Sequence, residues 1–152
     1  MSIQCGDLFD ASNSSASLAH CVSRDLKMGK GIAKLFRQKF GRLEELEKAN
    51  AKVGEIIVLK NGRQFIYYLV TKEKYDDRPT YEDLRKTLTK MRDHAEIHDV
   101  IGISMPKIAC GLDRLSWDIV QQMIRNVFYV TNINIRVFYL NPNSSNHGKT
   151  KS

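Results

Sequence analysis

The sequence of 152 residues has few of the features that mark membrane, secreted or metal-binding proteins. It contains no apolar run of the roughly 20 residues that a membrane helix requires, so we expect no membrane partner. Its N-terminus has no basic stretch followed by an apolar one, so we expect no secretory signal. The three cysteines, Cys5, Cys21 and Cys110, are odd in number and unpaired in spacing, which argues against disulfides and favours a reducing compartment. No cysteines and histidines are spaced as zinc ligands, so we expect no metal site.

Blocks of five like charges are also absent, although the formal net charge is +7. A moderate and dispersed positive charge attracts phosphate groups in general. No RNA- or DNA-binding motif with interleaved aromatic residues is found, so we expect weak nucleic-acid binding or none. A hydrophobic content of 42% and a charged content of 27% are typical of a globular chain of about one domain.

The pattern of apolar residues predicts an α/β domain, because short β-rich runs alternate with segments of helical periodicity. The predicted strands are Ile3–Cys5, Ser17–Val22, Glu55–Lys60, Gln64–Thr71, Val100–Ser104 and Asn134–Leu140. The predicted helices are Ile32–Phe40, Leu43–Asn50, a segment from Thr80 to about His98, and one that begins at Ser116. The helices are long enough to cover both faces of a sheet, so we expect a three-layer α/β/α fold in residues 1–140. Residues 141–152 are rich in Asn, Ser and Lys, and we expect a disordered tail.

Three local signals mark element boundaries. Asn61-Gly62 between two β-rich flanks is typical of a hairpin with a type I′ turn. Thr80, followed three residues later by Asp83, has the pattern of a helix N-cap. Gly41 is typical of a helix end.

The loop after the fifth predicted strand is a candidate ligand loop. It has small residues at Ala109 and Gly111, where a backbone can approach a ligand closely, and a carboxylate at Asp113. Loops that lead from a strand to a helix commonly form ligand sites in α/β proteins. We interpret this loop as one that surrounds a phosphate and directs Asp113 at the attached sugar. The alternative is an ordinary turn with a solvated Asp113.

A second candidate loop is Gly29-Lys30-Gly31, at the start of a predicted helix. Helix N-termini present free N–H groups and a partial positive charge, which suit a phosphate. A flexible turn would have the same composition. Together with Ala109 and Gly111, however, this loop would supply the two walls that a diphosphate needs.

Lys72 ends an apolar strand, and ligands of open α/β sheets lie beyond the carboxyl ends of strands. If Lys72 and Asp113 meet there, they form either a salt bridge or a nucleophile with its base, since burial or nearby cations can make a lysine amine nucleophilic. A surface lysine is the simpler alternative. Asp7 follows the first strand and would accept a hydrogen bond from a base amino group or form an Asx turn.

The histidines and cysteines indicate packing rather than chemistry. His20 and Cys21 are neighbours on a strand, so their side chains point to opposite faces and cannot pair with each other. We expect both to be buried packing residues. His94 and His98 share a helix face without a third ligand, so we interpret them as surface histidines.

Several motifs in the same order resemble the macrodomain family, and within it the terminal ADP-ribose protein glycohydrolases. The motifs are Gly6-Asp7-Leu8-Phe9, Ser17-Leu18-Ala19-His20-Cys21-Val22-Ser23, Lys27-Met28-Gly29-Lys30-Gly31-Ile32-Ala33, Tyr67-Tyr68-Leu69-Val70-Thr71-Lys72, Ser104-Met105-Pro106-Lys107-Ile108 and Cys110-Gly111-Leu112-Asp113-Arg114-Leu115. The similarity covers about residues 3–140.

The resemblance implies a mixed, roughly six-stranded sheet between helices, ADP-ribose as ligand, and no cofactor. It implies Lys72 as the nucleophile and Asp113 as the acid/base. Binding residues implied by the resemblance are Asp7 and Leu8 for adenine, Ser23, Met28, Gly29, Gly31 and Ile32 for the phosphates and ribose, Lys107, Ile108, Ala109, Cys110, Gly111 and Leu112 for a second phosphate wall, and Leu140 beside the adenine. One departure is Ala109, where the family usually has glycine, and the added methyl is expected to crowd the ligand or to force a dihedral change.

The resulting hypothesis is a hydrolase that removes mono-ADP-ribose from Glu or Asp residues of modified proteins through a lysyl-ADP-ribose intermediate. Deacylation of O-acyl-ADP-ribose is implied as a second activity. Poly-ADP-ribose is a further candidate ligand, and we expect a monomer in the nucleus, the cytoplasm or both, with a role in the DNA damage response. One alternative is a reader module that binds ADP-ribose without chemistry. Another is a basic RNA-associated protein.

Overall fold

The computed structural model describes residues 1–10 and 15–140, in which a six-stranded sheet is covered by four helices. The predicted tail, residues 141–152, lies outside the described residues. The strands are β1 (Ser2–Cys5), β2 (Ser17–Ser23), β3 (Ile56–Asn61), β4 (Gln64–Lys72), β5 (Gly102–Pro106) and β6 (Asn134–Tyr139). The helices are α1 (Gly31–Phe40), α2 (Leu43–Lys48), α3 (Tyr81–Ile97) and α4 (Trp117–Phe128). Within the described ranges, no helix is both long and apolar enough to cross a membrane.

The sheet is mixed, with the strand order β1-β6-β5-β2-β4-β3. All neighbouring strands are parallel except β3 and β4, which form the predicted antiparallel hairpin closed by the Asn61–Gln64 pair. Gly62 has φ +63° in this turn, whereas neither Asn61 nor Arg63 has a positive φ. The predicted hairpin is therefore confirmed, but the predicted type I′ turn was wrong, because that turn needs positive φ at both central residues. The parallel arrangement brings the carboxyl ends of β1, β2, β4, β5 and β6 to one edge of the sheet.

The sheet separates two apolar cores, which confirms the predicted three-layer α/β/α fold. Alternate residues of β4 serve opposite faces, so Tyr67 packs with α3 and α4 whereas Tyr68 packs with α1 and α2. The same alternation separates His20 from Cys21. The His20 ring stacks on Phe36 of α1, while Cys21 packs against the core on the α3 and α4 side. The prediction that these neighbours face opposite sides is therefore confirmed.

Most predicted boundaries agree with the structure to within one residue. Thr80 caps α3 by accepting a hydrogen bond from the Asp83 N–H at 3.1 Å. Gly41 ends α1 with its N–H donating to the Arg37 carbonyl. Ser116 holds the N-cap position of α4, although its side chain makes no capping hydrogen bond.

The prediction for the fifth strand, Val100–Ser104, was wrong at both ends, because β5 spans Gly102–Pro106. Val100 lies just beyond the end of α3, and its N–H donates back to the Ala95 carbonyl of that helix at 2.8 Å. Ile101 is 84% exposed and lies ahead of the strand. Pairing with β6 continues through Pro106, opposite Phe138. The apolar pair at 100–101 thus resembled a strand start without belonging to one.

Candidate active site

A cleft opens at the carboxyl edge of the sheet because β2 and β5 separate early. These strands pair only at Ser17–Ile103 and Leu18–Ser104. Beyond these pairs lies a cavity of about 440 Å³, which is within the usual size range of small-molecule sites. Its lining residues are Cys21, Val22, Ser23, Lys27, Met28, Gly29, Lys30, Gly31, Ile32, Ala33, Lys72, Tyr75, Pro106, Lys107, Ile108, Ala109, Gly111, Leu112 and Asp113.

Lys72 and Asp113 meet in this cleft. Lys72 is the last residue of β4, and its Nζ donates to Asp113 Oδ1 at 2.6 Å and to the Tyr75 carbonyl oxygen at 2.8 Å. The two side chains are only 11% and 15% exposed. The pair is therefore largely removed from water, and its charges are poorly screened. A surface lysine, the simpler alternative from the sequence, does not describe this arrangement.

The first wall of the cleft is the segment between β2 and α1. Leu26, Met28 and Gly31 have φ values of +54°, +46° and +60°, so this segment turns repeatedly through the left-handed region. Such a backbone is costly for Leu26 and Met28 and persists only where the surroundings hold it. The N-cap residue of α1, Lys30, makes no side-chain cap, so the N–H groups of the first helical turn can serve an anion in the cleft.

The second wall is the loop that follows β5. Ala109 has φ +62° at its centre, and its carbonyl accepts a hydrogen bond from the Leu115 N–H at 2.8 Å. Glycine adopts this left-handed conformation without strain, so Ala109 holds a backbone conformation suited to glycine, and whether its methyl crowds the ligand stays a prediction. The two walls approach each other closely, since a Cβ placed on Gly31 would lie 3.4 Å from Cδ1 of Leu112. A ligand between the walls would be enclosed from two sides by backbone.

Lys107 fastens the second wall to neighbouring elements. Its Nζ lies 4.6 Å from the ring centroid of Tyr139 at the end of β6 and 5.6 Å from the ring of Trp117 at the start of α4. Cation–π contacts of this kind contribute on the order of 1 kcal/mol. The wall is thus held by β6 and α4 as well as by its own turn.

The two thiols near the cleft are poorly suited to nucleophilic chemistry. Burial raises the pKa of Cys21 well above its usual value, and the Asp113 carboxylate raises it further. Burial raises the pKa of Cys110 to about 11, although the Lys107 charge acts in the opposite direction. Both thiols therefore stay protonated at neutral pH and lack the thiolate that attacks substrates. This agrees with the packing role predicted for Cys21.

Four of the predicted binding residues do not line the cleft. Asp7 forms the Asx turn that was the alternative reading, with Oδ1 accepting from the Phe9 N–H at 2.9 Å. Leu8 is buried, Cys110 is half-buried, and Leu140 is 59% exposed just after β6. They lie near the same edge of the sheet, at or next to strand ends and in the second wall.

The structure also adds lining residues that sequence reasoning missed. The clearest is Tyr75, an aromatic residue in an otherwise polar loop three positions after Lys72, which was the available signal. Cys21 was assigned to packing alone and Val22 only to a strand, although as residues near the end of β2 they also line the cleft. Lys27 and Lys30 were part of the glycine-containing stretch but were not assigned a place in the site.

The histidine pair on α3 lies away from the cleft. His94 is half-buried rather than on the surface as predicted, and its Nδ1 forms a hydrogen bond of 2.7 Å with the Tyr67 hydroxyl. The His98 ring stacks on it at a centroid distance of 3.9 Å. Among the described residues, no group of three or more histidine, cysteine or acidic side chains could hold a metal ion.

Comparisons with known proteins place the chain among proteins of one family. The family model of the Macro domain matches residues 19–124. ADP-ribose glycohydrolase OARD1 of Homo sapiens is 50% identical over 135 residues, which cover 89% of this chain and 88% of the human protein. The Bos taurus protein of the same name is 49% identical over the same shares.

Solved structures give the same fold at low identity. The macrodomain of Thermus aquaticus DarG superimposes with a TM-score of 0.81 at 22% identity, over 92% of this chain and 97% of that one. Thermosipho africanus DarTG, solved in complex with ADP-ribose, gives a TM-score of 0.79 at 17% identity, over 94% of this chain and 42% of that one. These likenesses concern the fold alone.

Proposed function

Since this chain belongs to the macrodomain family, we propose that it releases ADP-ribose from acidic side chains of modified proteins by way of Lys72. The chain is a hydrolase with ADP-ribose as its ligand, as the names of the two half-identical mammalian proteins support. The finer proposal concerns the linkage that is cleaved and the route. The single observation that carries it is the Lys72–Asp113 contact of 2.6 Å inside the cleft.

In the first step, the Lys72 amine attacks the anomeric carbon of the distal ribose. The Nζ lone pair forms the new N–C bond while the bond between that carbon and the protein carboxyl oxygen breaks. The electron pair leaves with the carboxylate, which is a stable leaving group. Asp113, in hydrogen-bond contact with Nζ, accepts the proton that the nitrogen loses. The product of this step is a lysyl–ADP-ribose adduct.

In the second step, water attacks the same carbon and the N–C bond breaks. Asp113 returns its proton to the departing Nζ, accepts one from the attacking water and releases it to solvent, so the enzyme regains its starting state. The two walls hold the diphosphate and thereby fix the ribose against Lys72, which lowers the entropic part of the barrier. We extend the proposal to O-acyl-ADP-ribose, in which an acyl ester is carried by the same ribose.

A reader module remains the competing function, and the reactive pair is what distinguishes the two. A reader needs the two walls but gains nothing from a buried lysine in contact with a carboxylate, since partly buried charges must be desolvated. ADP-ribose binding alone therefore does not separate the proposals, whereas turnover does.

The test is single-turnover release of ADP-ribose from a glutamate-modified protein. We expect Lys72→Ala to lower the rate by about 100-fold or more while ADP-ribose still binds, because the nucleophile is lost and the walls remain. Wild-type protein that is incubated with ADP-ribose and then denatured should carry a covalent adduct, detected by mass spectrometry, that the Lys72→Ala protein lacks. Lys74→Ala is the matched control, since Lys74 follows two residues later and does not line the cleft. Full turnover by Lys72→Ala would contradict the proposal, and binding without turnover by the wild type would leave the reader.

We further propose that the protein acts in the nucleus or the cytoplasm. The three cysteines are free in the structure, which fits a compartment that keeps thiols reduced. Imaging of a fluorescent fusion in cells tests this location.

A further inference from the structure

Asp25 lies two residues after the end of β2 and does not line the cleft, yet its side chain accepts hydrogen bonds from two segments that do. Its Oδ1 accepts from the Ser23 hydroxyl at 2.5 Å and from the Lys27 N–H at 3.2 Å. Its Oδ2 accepts from the Tyr75 N–H at 3.0 Å. One carboxylate thus connects the first wall of the cleft with the loop that follows Lys72.

Tyr75 transmits this connection to the reactive lysine. Its N–H donates to Asp25, and its carbonyl oxygen accepts from Lys72 Nζ at 2.8 Å. The residue is therefore held on both sides of its Cα. Tyr75 is 50% exposed, with Lys27 Nζ 4.9 Å from the ring centroid, so packing only partly substitutes for the hydrogen bond that the Tyr75 N–H donates to Asp25.

The Tyr75 carbonyl matters because of the geometry of a neutral amine. A lysine that attacks as the free amine has two N–H bonds and one lone pair. Asp113 and Tyr75 provide acceptors for two N–H bonds, so the remaining direction on Nζ is fixed when both are in place. Without one of these acceptors the amine could rotate about its Cε–Nζ bond, and its lone pair would point toward the ribose only part of the time. This raises the entropic barrier to attack.

Asp25 also supports the strained part of the first wall. Leu26 and Met28 adopt left-handed backbone conformations on either side of Lys27, whose N–H donates to Asp25. Burial raises the pKa of Asp25, but the hydrogen bonds from Ser23, Tyr75 and Lys27 and the Lys27 charge outweigh this effect, and the pKa lies below its usual value. The carboxylate is therefore ionised at neutral pH and available to all three donors.

We propose that Asp25 is a positioning residue for the hydrolysis, holding Tyr75 so that its carbonyl orients the Lys72 amine toward the distal ribose. The inference rests on the proposed function of Lys72. It assigns Asp25 no contact with the substrate. Its effect is therefore expected mainly in the rate of the chemical step, with a much smaller effect on ADP-ribose binding through the first wall.

The experiment compares Asp25→Ala, Asp25→Asn and Glu73→Gln in the full chain. Asp25→Ala removes both acceptor oxygens, and Asp25→Asn leaves one oxygen for two segments. Glu73→Gln is the matched control, because the exposed Arg24–Glu73 pair at 3.4 Å joins the same two segments without touching Tyr75. Turnover of glutamate-modified protein, ADP-ribose affinity by calorimetry, and amide hydrogen exchange of residues 73–77 are measured for each variant.

We expect Asp25→Ala to lower kcat by about 10- to 100-fold with KM and ADP-ribose affinity changed by less than about threefold, as loss of orientation predicts. Asp25→Asn should lie between it and the wild type, Glu73→Gln should match the wild type, and exchange at 73–77 should rise only in the Asp25 variants. Unchanged kcat in Asp25→Ala would overturn the inference, as would equal losses in kcat and affinity. If Lys72→Ala keeps full activity, the proposed function itself fails; if it is inactive while Asp25→Ala is fully active, only the positioning role fails.

Discussion

The burial of His20 predicts a specific loss of stability in acid. The ring is inaccessible to solvent, stacked on Phe36 at a centroid distance of 3.7 Å and edge-on to Tyr68 at 4.7 Å. Burial lowers the pKa of His20 from its ordinary 6.5 to about 3, although the backbone at Cys21 acts in the opposite direction. A charge there would be surrounded by aromatic rings and cut off from water.

The sign of the effect follows from proton uptake. Between about pH 6.5 and pH 3 the native state keeps His20 neutral, whereas the unfolded chain binds a proton at this residue. Stability is therefore complete above pH 6.5 and decreases as the pH falls toward 3, by about 1.4 kcal/mol per pH unit. At about pH 4.5 the loss is of the order of 3 kcal/mol, a large share of the roughly 5–15 kcal/mol of a typical domain.

The perturbation is His20→Leu, which replaces the ring by an apolar side chain that does not titrate. Urea unfolding of both proteins at about pH 7.5 and pH 4.5, followed by circular dichroism, gives two differences in free energy of unfolding. Carboxylates with lowered pKa, such as Asp25, weaken both proteins in acid and cancel in the comparison. We expect the wild type to lose about 3 kcal/mol more than His20→Leu between these pH values. Equal losses in the two proteins would refute the reasoning, whatever the substitution does to stability at neutral pH.

Two further predictions concern Ala109 and the cysteines. Ala109→Gly should change the free energy of unfolding by less than about 1 kcal/mol, because relief of left-handed strain is offset by the greater entropy of the unfolded chain and the loss of a buried methyl. Ala109→Val should lower the free energy of unfolding by at least about 2 kcal/mol in urea unfolding, since a β-branched residue is strained at φ +62°. A larger decrease in the free energy of unfolding for Ala109→Gly than for Ala109→Val would contradict this. Alkylation by iodoacetamide near neutral pH, mapped by mass spectrometry, should modify exposed Cys5 first and buried Cys21 last, and early modification of Cys21 would contradict its raised pKa.

The sequence predicted the elements well where local chemistry decides them. The hairpin at Gly62, the Thr80 cap and the Gly41 end are each determined by a few neighbouring residues, and the structure has all three, although the hairpin turn is not of the predicted type. The β5 boundary failed because Val100 and Ile101 are apolar residues at the end of a helix and ahead of a strand. Periodicity does not distinguish them from a strand start.

The site was predictable in part for the same reason. Strand ends and glycine-containing turns are visible in the sequence, so Lys72, Asp113 and both walls could be named. The roles of Tyr75 and Asp25 depend on a contact between segments 50 residues apart, which no local pattern encodes. Left-handed backbone at Leu26, Met28 and Ala109 is likewise a product of tertiary contacts, since these residue types do not favour it.

The early separation of β2 and β5 divides the sheet into two blocks, one of β1, β6 and β5 and the other of β2, β4 and β3. Lys72 belongs to the second block, whereas Asp113 follows β5 of the first. The two reactive groups therefore lie on opposite sides of the junction between β2 and β5, which is formed by two residue pairs. An opening of this junction would separate the Lys72 amine from the Asp113 carboxylate. A nucleotide bound across this junction would hold the two blocks together, so that substrate binding would itself stabilise the contact between the two reactive groups.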